Sequence, residues 1–243
     1  MLATSSTATA TSVTASAAVV VVRSSRRPNH RAAPSRSPRS FASVSCVGGG
    51  LVTQAEIADA ARRRGLRIDT QTFGPFFKIT ARRLPTRAGV SPDERPSEGD
   101  VIGVHDGFIA PPPFGILHLD SMRVYNSRVR GDEERASMRS LFGISILLGC
   151  TSALMAHEAG CTKMELLAID DGNEYAAKLV AYYRRLGFEI VRVVGDNGLK
   201  DLPDLLVWGG VGTRMNGNLQ TLLGKWGAVI RKQAAADDAK MLL

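Results

Sequence analysis

The chain has 243 residues, with 31 basic and 23 acidic side chains, and no Asp or Glu occurs among its first 50 residues. This length suffices for a single domain with a well-buried core. The apolar run at residues 17–22 is far shorter than the roughly 20 residues that cross a bilayer, and no later segment resembles a span, so no membrane partner is expected.

The amino-terminal segment is typical of an organelle transit peptide, because it is rich in Ser, Thr and Ala and its charged residues are all arginines. These are Arg23, Arg26, Arg27, Arg31, Arg36 and Arg39. We predict a cleaved leader over residues 1–46, with cleavage near Cys46, and a single domain over residues 47–243. The predicted destination is the chloroplast stroma, with the mitochondrion as the alternative.

Removal of this leader changes the charge of the protein. Six of the 31 basic residues would be lost and none of the 23 acidic ones, which leaves 25 against 23, a net charge of about +2. A nearly neutral domain attracts phosphate backbones only weakly. We therefore expect no nucleic-acid partner.

The hydrophobic pattern predicts secondary structure in chain order. The first half contains a helix at 54–64, a bent strand or hairpin at 66–84 interrupted by Gly74-Pro75, a surface loop at 85–99, strands at 100–109 and 115–125, and a second loop at 126–135. The second half contains a buried helix from 136 to Gly160, a strand at 164–169, a helix at 174–186, strands at 188–194 and 205–208, a turn at Gly210 and Gly212, and a helix at 216–232. This order predicts a mixed α/β fold with helices packed on a sheet.

The segment at 183–188, Tyr-Arg-Arg-Leu-Gly-Phe, follows an apolar strand and a helix. It resembles the GCN5-related N-acetyltransferase superfamily, in which a tyrosine four residues before a Gly-Phe pair recurs at the end of the helix after the fifth strand. The resemblance covers about residues 100–208. It implies a central, mostly antiparallel sheet of the acyl-CoA N-acyltransferase type with helices on both faces.

The same resemblance implies acetyl-CoA as the co-substrate. Its pantetheine arm would pair with the strand at 119–124, and its pyrophosphate would lie at the start of the next helix, where Gly143 is the cofactor glycine and unpaired amides favour anions. Gly143 as a packing glycine and Asn173 as a helix cap are the alternatives. The implied cofactor contacts are Met122, Val124, Arg139, Ser140, Leu141, Phe142, Gly143, Ile144, Ser145 and Asn173.

Tyr183 is the implied general acid, which would protonate the departing thiolate, because a phenol with a pKa near 10 stays protonated at neutral pH. A core tyrosine is the alternative. His118 and Asp120 share a strand face by the period of two and are candidate general bases. Asp170 is a further candidate base, and a structural polar role is the alternative for each of the three.

We therefore predict an acetyl-CoA-dependent N-acetyltransferase that transfers an acetyl group directly to an amine in a ternary complex. The alternative is a non-catalytic acyl-CoA-binding or regulatory module. The acceptor, a protein or a small molecule, is not determined by the sequence, and neither is the oligomeric state. No metal is expected, because Cys150 and Cys161 on one helix would lie roughly 16 Å apart, too far for a shared zinc ion.

Overall fold

The computed structural model describes residues 50–84, 101–125, 138–170, 175–195 and 198–241. Its helices are α1 (Gln54–Arg62), α2 (Met138–Glu158), α3 (Tyr175–Leu186), α4 (Leu202–Trp208) and α5 (Leu219–Met241), with a 3-10 turn at Gly198–Lys200. Its strands are β1 (Leu66–Phe73), β2 (Phe76–Arg83), β3 (Val101–Ala110), β4 (Ile116–Val124), β5 (Lys163–Ile169), β6 (Glu189–Val194) and β7 (Gly212–Asn218). The predicted leader, the predicted loops at 85–99 and 126–135, and Asn173 lie outside the described residues.

The strands form one seven-stranded sheet in the order β1-β2-β3-β4-β5-β7-β6. Every neighbouring pair is antiparallel except β4 and β5, which are parallel. The helix α2 connects these two parallel strands, as a crossover connection requires. The predicted fold class, a mixed α/β fold with a mostly antiparallel sheet, is confirmed.

The two faces of the sheet differ in what covers them. Helices α1, α2, α3 and α5 pack on one face around the main apolar core, which includes Leu117 and Leu119 of β4. The opposite face, which we call the α4 face, bears His118 and a smaller cluster of Leu167, Val194 and Trp208. Within the described residues, no helix is long and apolar enough to cross a membrane.

Two predicted elements near the carboxyl end were wrong. The expected strand at 205–208 is part of α4, which has Pro203 in its first turn and ends at Gly209 in the left-handed conformation. The expected turn at Gly212 begins β7, and α5 starts at Leu219 rather than at 216. A short apolar run does not distinguish a helix from a strand, and the small, polar residues of β7 have little strand propensity.

Both cysteines of the described chain are free and buried, at positions 150 and 161. Burial raises the pKa of both thiols. Cys150 lies in the interior of α2, whereas the Cys161 thiol faces the carbonyl oxygen of Ala110 at 3.4 Å. Both side chains therefore act as small core residues.

His105 is a fully buried histidine that links β3 to β4 and α2. Its Nδ1 lies 2.8 Å from the carbonyl oxygen of Ser121, and its Nε2 lies 3.0 Å from the hydroxyl of Ser152. Because a carbonyl oxygen only accepts, Nδ1 carries the proton, and the Ser152 hydroxyl beside Nε2 donates to the carbonyl oxygen of Gly149 at 3.1 Å. Burial lowers the pKa of His105 from 6.5 to about 4, so the folded protein holds this imidazole neutral.

We predict that His105 makes the fold sensitive to mild acid. The unfolded chain protonates His105 near pH 6.5 and the folded chain only near pH 4, so stability is lost as the pH falls through this window, by about 3 kcal/mol. Urea unfolding at pH 7 and pH 4.5 should show a clearly larger loss for the wild type than for His105→Gln. Equal losses in the two proteins would contradict the prediction.

Candidate active site at the opening between β4 and β5

Strands β4 and β5 pair over only part of their length. Their register runs from Ile116↔Lys163 to Leu119↔Leu166, and no further pair follows. On their outer sides, β4 stays paired with β3 as far as Val124, and β5 stays paired with β7 as far as Ile169. Among the described residues, no strand pairs with the facing edges of residues 120–124 and 167–169, so an opening separates the carboxyl-terminal halves of the two strands.

A β-bulge lies where the opening begins. Leu119 pairs with Gly107 and Ser121 pairs with Asp106, so Asp120 is an additional residue in β4. A bulge bends its strand and increases the local twist, and the pairing of β4 with β5 ends at Leu119, directly before it. The alternation from which His118 and Asp120 were predicted to share a face is interrupted here, although Asp120 still interacts electrostatically with His118.

His118 is enclosed on the α4 face beside the last strand pair. Its ring stacks between Phe108 and Trp208, with ring centroids 4.5 and 3.9 Å away, and the residue is only 1% exposed. Its Nδ1 lies 3.4 Å from Oε1 of Glu165 on β5. This enclosure leaves no room for an acceptor to contact the ring directly, so His118 is unsuited to be the first proton acceptor.

Glu165 connects His118 to a chain of ion pairs. Its Oε2 accepts from Nη2 of Arg214 at 2.9 Å, and Nη1 of the same guanidinium lies 3.1 Å from Oδ1 of Asp204. Burial alone would raise the pKa of Glu165, but hydrogen bonds from His118 and Arg214 and the charges of Arg214 and Lys163 lower it to about 2. The Glu165 carboxylate is therefore ionised at neutral pH.

Asp120 is the exposed carboxyl group at the opening. Partial burial and the nearby charge of Asp106 raise its pKa, while the charge of His118 acts in the opposite direction. A carboxylate with a raised pKa is a better proton acceptor. Of the three candidate bases, Asp120 thus has the exposure and the electrostatics that suit a base; Asp170 is exposed as well, at the end of β5.

Tyr183 lies at the end of α3 but inside the main core. Its ring packs edge-on against Tyr182 and Phe188 at centroid distances of 5.5 and 5.8 Å. Burial and the neighbouring Tyr182 raise the pKa of Tyr183, which keeps the phenol protonated. The environment of Tyr183 is compatible with a proton donor. It is equally compatible with the alternative that the sequence left open, a tyrosine that only packs in the core.

The predicted pyrophosphate loop has a different local structure from the one expected. The described part of helix α2 begins at Met138, and Arg139, Ser140 and Leu141 lie in its first described turn. Gly143 lies in the second turn, where an added Cβ would come within 2.5 Å of Nη1 of Arg64. The expectation that Gly143 begins the helix was wrong, and the glycine makes room for the Arg64 guanidinium.

The neighbours of Gly143 face the protein interior. Phe142 packs against Tyr182 with ring centroids 6.0 Å apart, Ile144 belongs to the core, and the buried Ser145 hydrogen-bonds the Tyr182 hydroxyl. The side chains of Met122 and Val124 are also in the core. These five residues can therefore contribute at most backbone groups to a ligand in the opening.

Two surface pockets of the described residues lie outside the opening. Among the described residues, no group of His, Cys, Asp and Glu side chains could hold a metal ion. A surface pocket of about 360 Å³ lies at the β1–β2 hairpin, and another of about 490 Å³ lies at the start of β6. Neither pocket is lined by a residue of the opening.

The sequence alone did not reveal Glu165, Arg214, Asp204 or Arg64 as members of these clusters. One signal for Glu165 was available, because it is a lone acid within the apolar strand β5. Arg214 lies on β7, which the hydrophobic pattern did not identify. Its pairing with Glu165 follows only from the strand order.

Comparison with known proteins gave partial similarities to solved acetyltransferase structures. No protein-family model matches the chain, and no curated protein matches its sequence. Nourseothricin acetyltransferase is 13% identical, with 64% of this chain and 85% of that chain covered and a TM-score of 0.37. The aminoglycoside 6'-N-acetyltransferase from Enterococcus faecium is 14% identical, with 61% and 75% covered and a TM-score of 0.35. The Bacillus subtilis acetyltransferase in complex with CoA is 13% identical, with 63% and 98% covered and a TM-score of 0.36. At such identities and TM-scores the similarities assign no activity to this chain.

We predict that Gly143 and Arg64 are energetically coupled. Gly143→Ala should gain up to about 1 kcal/mol in helix propensity, but the new Cβ would displace the guanidinium of Arg64, whose Nη1 is buried and whose Nη2 donates to Gln233. Gly143→Ala should therefore stabilise the Arg64→Ala variant by up to about 1 kcal/mol and stabilise the wild type clearly less. Urea unfolding of the wild type, the two single variants and the double variant measures this coupling. If the changes in unfolding free energy of the single variants add up to that of the double variant, the prediction is contradicted.

Proposed function

We propose that the protein is an acetyl-CoA-dependent N-acetyltransferase that acts at the opening between β4 and β5. The observation that supports this proposal is the loss of strand pairing after Leu119↔Leu166, while both strands remain paired on their outer sides. The edge of β4 that faces β5 could receive an extended, amide-containing chain as an added strand. Pantetheine is such a chain, which supports acetyl-CoA as the co-substrate in this proposal.

The backbone at the start of α2 would hold the phosphates of acetyl-CoA. Backbone amides near the amino-terminal end of α2 and the positive end of the helix dipole would favour an anion there. Arg139 lies in this part of the chain and would add charge. Acetyl-CoA supplies an activated acetyl thioester when bound.

Proton movements during transfer would involve two side chains. Asp120 would accept one proton from the acceptor ammonium, and the freed lone pair of the amine would form the new C–N bond as the C–S bond breaks. The Tyr183 hydroxyl would give its proton to the departing sulfur, and the second proton that the nitrogen loses as it becomes an amide would restore the Tyr183 phenol. Proximity of amine and thioester in the opening would supply much of the rate acceleration.

The acceptor would be an amine of a protein or a small molecule, with no nucleic-acid or membrane partner and no metal. The balance of 25 basic and 23 acidic residues after residue 46 supports a proposal without a nucleic-acid partner.

We further propose a location in the chloroplast stroma, or alternatively in the mitochondrion, from the composition of residues 1–46. Fluorescence microscopy of a fusion that carries these residues tests the location; a cytosolic signal would contradict it.

A second function has its own support. The packing of Tyr183 in the core and the contact of Gly143 with Arg64 are both compatible with a chain that binds acyl-CoA without catalysis. Such a module would bind acetyl-CoA in the same opening. Binding and turnover therefore have to be measured separately.

We predict that acetyl-CoA binds and that Tyr183→Phe slows thiol release in the presence of amines by about 100-fold or more, with an unchanged KM for acetyl-CoA. Tyr182→Phe is the matched control, because Tyr182 is adjacent and also largely buried, and it should stay near the wild-type rate. Titration calorimetry measures the binding. Absence of binding at millimolar acetyl-CoA would refute both functions, and equal rates in the two variants would remove Tyr183 from the mechanism.

We also predict an acidic limb in the pH–rate profile that arises from Asp120. Since its pKa is raised, activity should begin to fall at a higher pH than an ordinary Asp would cause. Asp120→Asn should remove this limb and lower kcat, whereas Asp170→Asn serves as the control and should retain it. Loss of the limb in the Asp170 variant alone would identify Asp170 as the base.

A further inference from the structure

We propose that the outer edge of β6 and the exposed side of α4 together form the interface of a twofold symmetric homodimer. In this dimer β6 pairs antiparallel with β6 of a second copy of the chain, so that the two seven-stranded sheets become one continuous sheet. The proposal does not depend on the proposed N-acetyltransferase function.

The last strand of the sheet has an apolar edge. Among the described residues, no strand pairs with β6 on the side away from β7. An exposed apolar edge strand favours pairing with another chain, because its backbone groups and its side chains can both gain partners. The large apolar side chains that are exposed on β6 and on α4 are Ile190, Val191, Val193, Leu202, Leu206 and Val207.

The strand at the opposite edge of the sheet, β1, has a different surface. Its Arg67 and Asp69 form an ion pair at 2.8 Å, and the residues at 70–72, Thr-Gln-Thr, are exposed. Charged and polar side chains on an edge strand oppose association with another edge. On β6, in contrast, the single basic side chain, Arg192, is turned toward Asp201 and Asp204. The apolar edge is therefore specific to β6.

The register of β6 on β7 shows which side chains of β6 share a face. Ile190 lies opposite Met215 and Val193 lies opposite Thr213, with Val191 as the additional residue of a bulge between them. Residues two apart on β7 point to the same face, and Met215 belongs to the main core. Ile190 and Val193 therefore both lie on the face of the main core, although three positions separate them.

This register makes β6 complementary to itself. With a twofold axis between Val191 and Arg192, Ile190 of one copy lies opposite Val193 of the second copy, on the same face. The pocket of about 490 Å³ at the start of β6 is lined in part by Phe188 and Ile190. It lies beside the position that Val193 of the second copy would take, so an aliphatic side chain can fill it.

The same axis brings the two copies of α4 together. Helix α4 lies over β6, because its Asp204 pairs with Arg192, and an axis perpendicular to the sheet keeps α4 on the same face in both copies. Leu202 and Leu206 lie one turn apart on α4 and are 46% and 77% exposed, so they form an apolar stripe along the helix. The two stripes would pack against each other across the axis.

The charges around the edge also favour a second copy as the occupant. Glu189 is exposed at the start of β6, and Lys200 is exposed in the 3-10 turn that follows the end of the strand. An antiparallel pair brings the start of one strand to the end of the other, so Glu189 of each copy approaches Lys200 of the second copy. Near the axis, each Arg192 keeps its own two carboxylate partners. An apolar centre with a polar rim is the arrangement of stable protein interfaces.

Analytical ultracentrifugation of the full chain tests the dimer. The wild type should sediment as a dimer at micromolar concentration. Val193→Lys places a charge in the strand pair and should raise the Kd of the dimer about 30-fold or more, and Leu206→Lys should act in the same direction through α4. Gln71→Lys on β1 is the matched control, because it adds the same charge to the other edge strand, and it should leave the Kd unchanged.

Disulfide cross-linking tests the pairing itself, in a Cys46→Ser background, since Cys150 and Cys161 are buried. The double variant Ile190→Cys/Val193→Cys should form a covalent dimer on oxidation, because opposite residues of an antiparallel pair have Cα atoms about 4.5–5.5 Å apart. Neither single variant should do so, since identical residues would lie roughly 10 Å apart along the strands.

Three results would overturn the proposal. The first is a monomeric wild type at micromolar concentration, which would assign the edge to a different chain or to solvent. The second is a dimer whose Kd changes in neither Val193→Lys nor Leu206→Lys, because the interface would then lie elsewhere. The third is a double cysteine variant that cross-links no better than the single variants, because β6 would then not pair with itself.

Discussion

The early end of pairing between β4 and β5 is the constraint on which the candidate site depends. The additional residue at Asp120 directly follows the last residue of β4 that pairs with β5, and the ladders to β3 and β7 continue along the outer sides of both strands. Each edge of the opening is therefore supported by a neighbouring strand.

The two faces of the sheet differ in the interactions that stabilise them. The face covered by α1, α2, α3 and α5 is apolar and supplies the main core, whereas the α4 face carries a connected set of charges that ends at His118. Buried charges destabilise a fold when they lack partners. Arg214 supplies a partner to both Glu165 and Asp204 by bridging their carboxylates. The small helix α4 thus supplies both Asp204, which pairs with Arg214, and Trp208, which stacks on His118.

Periodicity and turn residues predicted much of the fold, because α1, the β1–β2 hairpin, α2 and α3 each have a clear pattern of their own. The strand β7 could not be predicted in this way, because its residues have little strand propensity. It is a strand because it pairs with β5 on one side and with β6 on the other. Within the site, the sequence identified His118 and Asp120 as candidate bases and Tyr183 as a candidate acid. Their environments could not be predicted, because Glu165 and Trp208 come from distant parts of the chain, and the bulge depends on register. The Arg64 contact with Gly143 likewise required the packing of α1 on α2.

The burial of the cysteines has a practical consequence for kinetics. Of the three cysteines in the chain, Cys46 lies in the predicted leader, and Cys150 and Cys161 are buried with raised thiol pKa values. Disulfide reagents react with the thiolate of an accessible cysteine. Protein that begins after residue 46 should thus give little background colour with such a reagent while folded. Free CoA could then be followed continuously, and a burst of protein thiol would itself report unfolding.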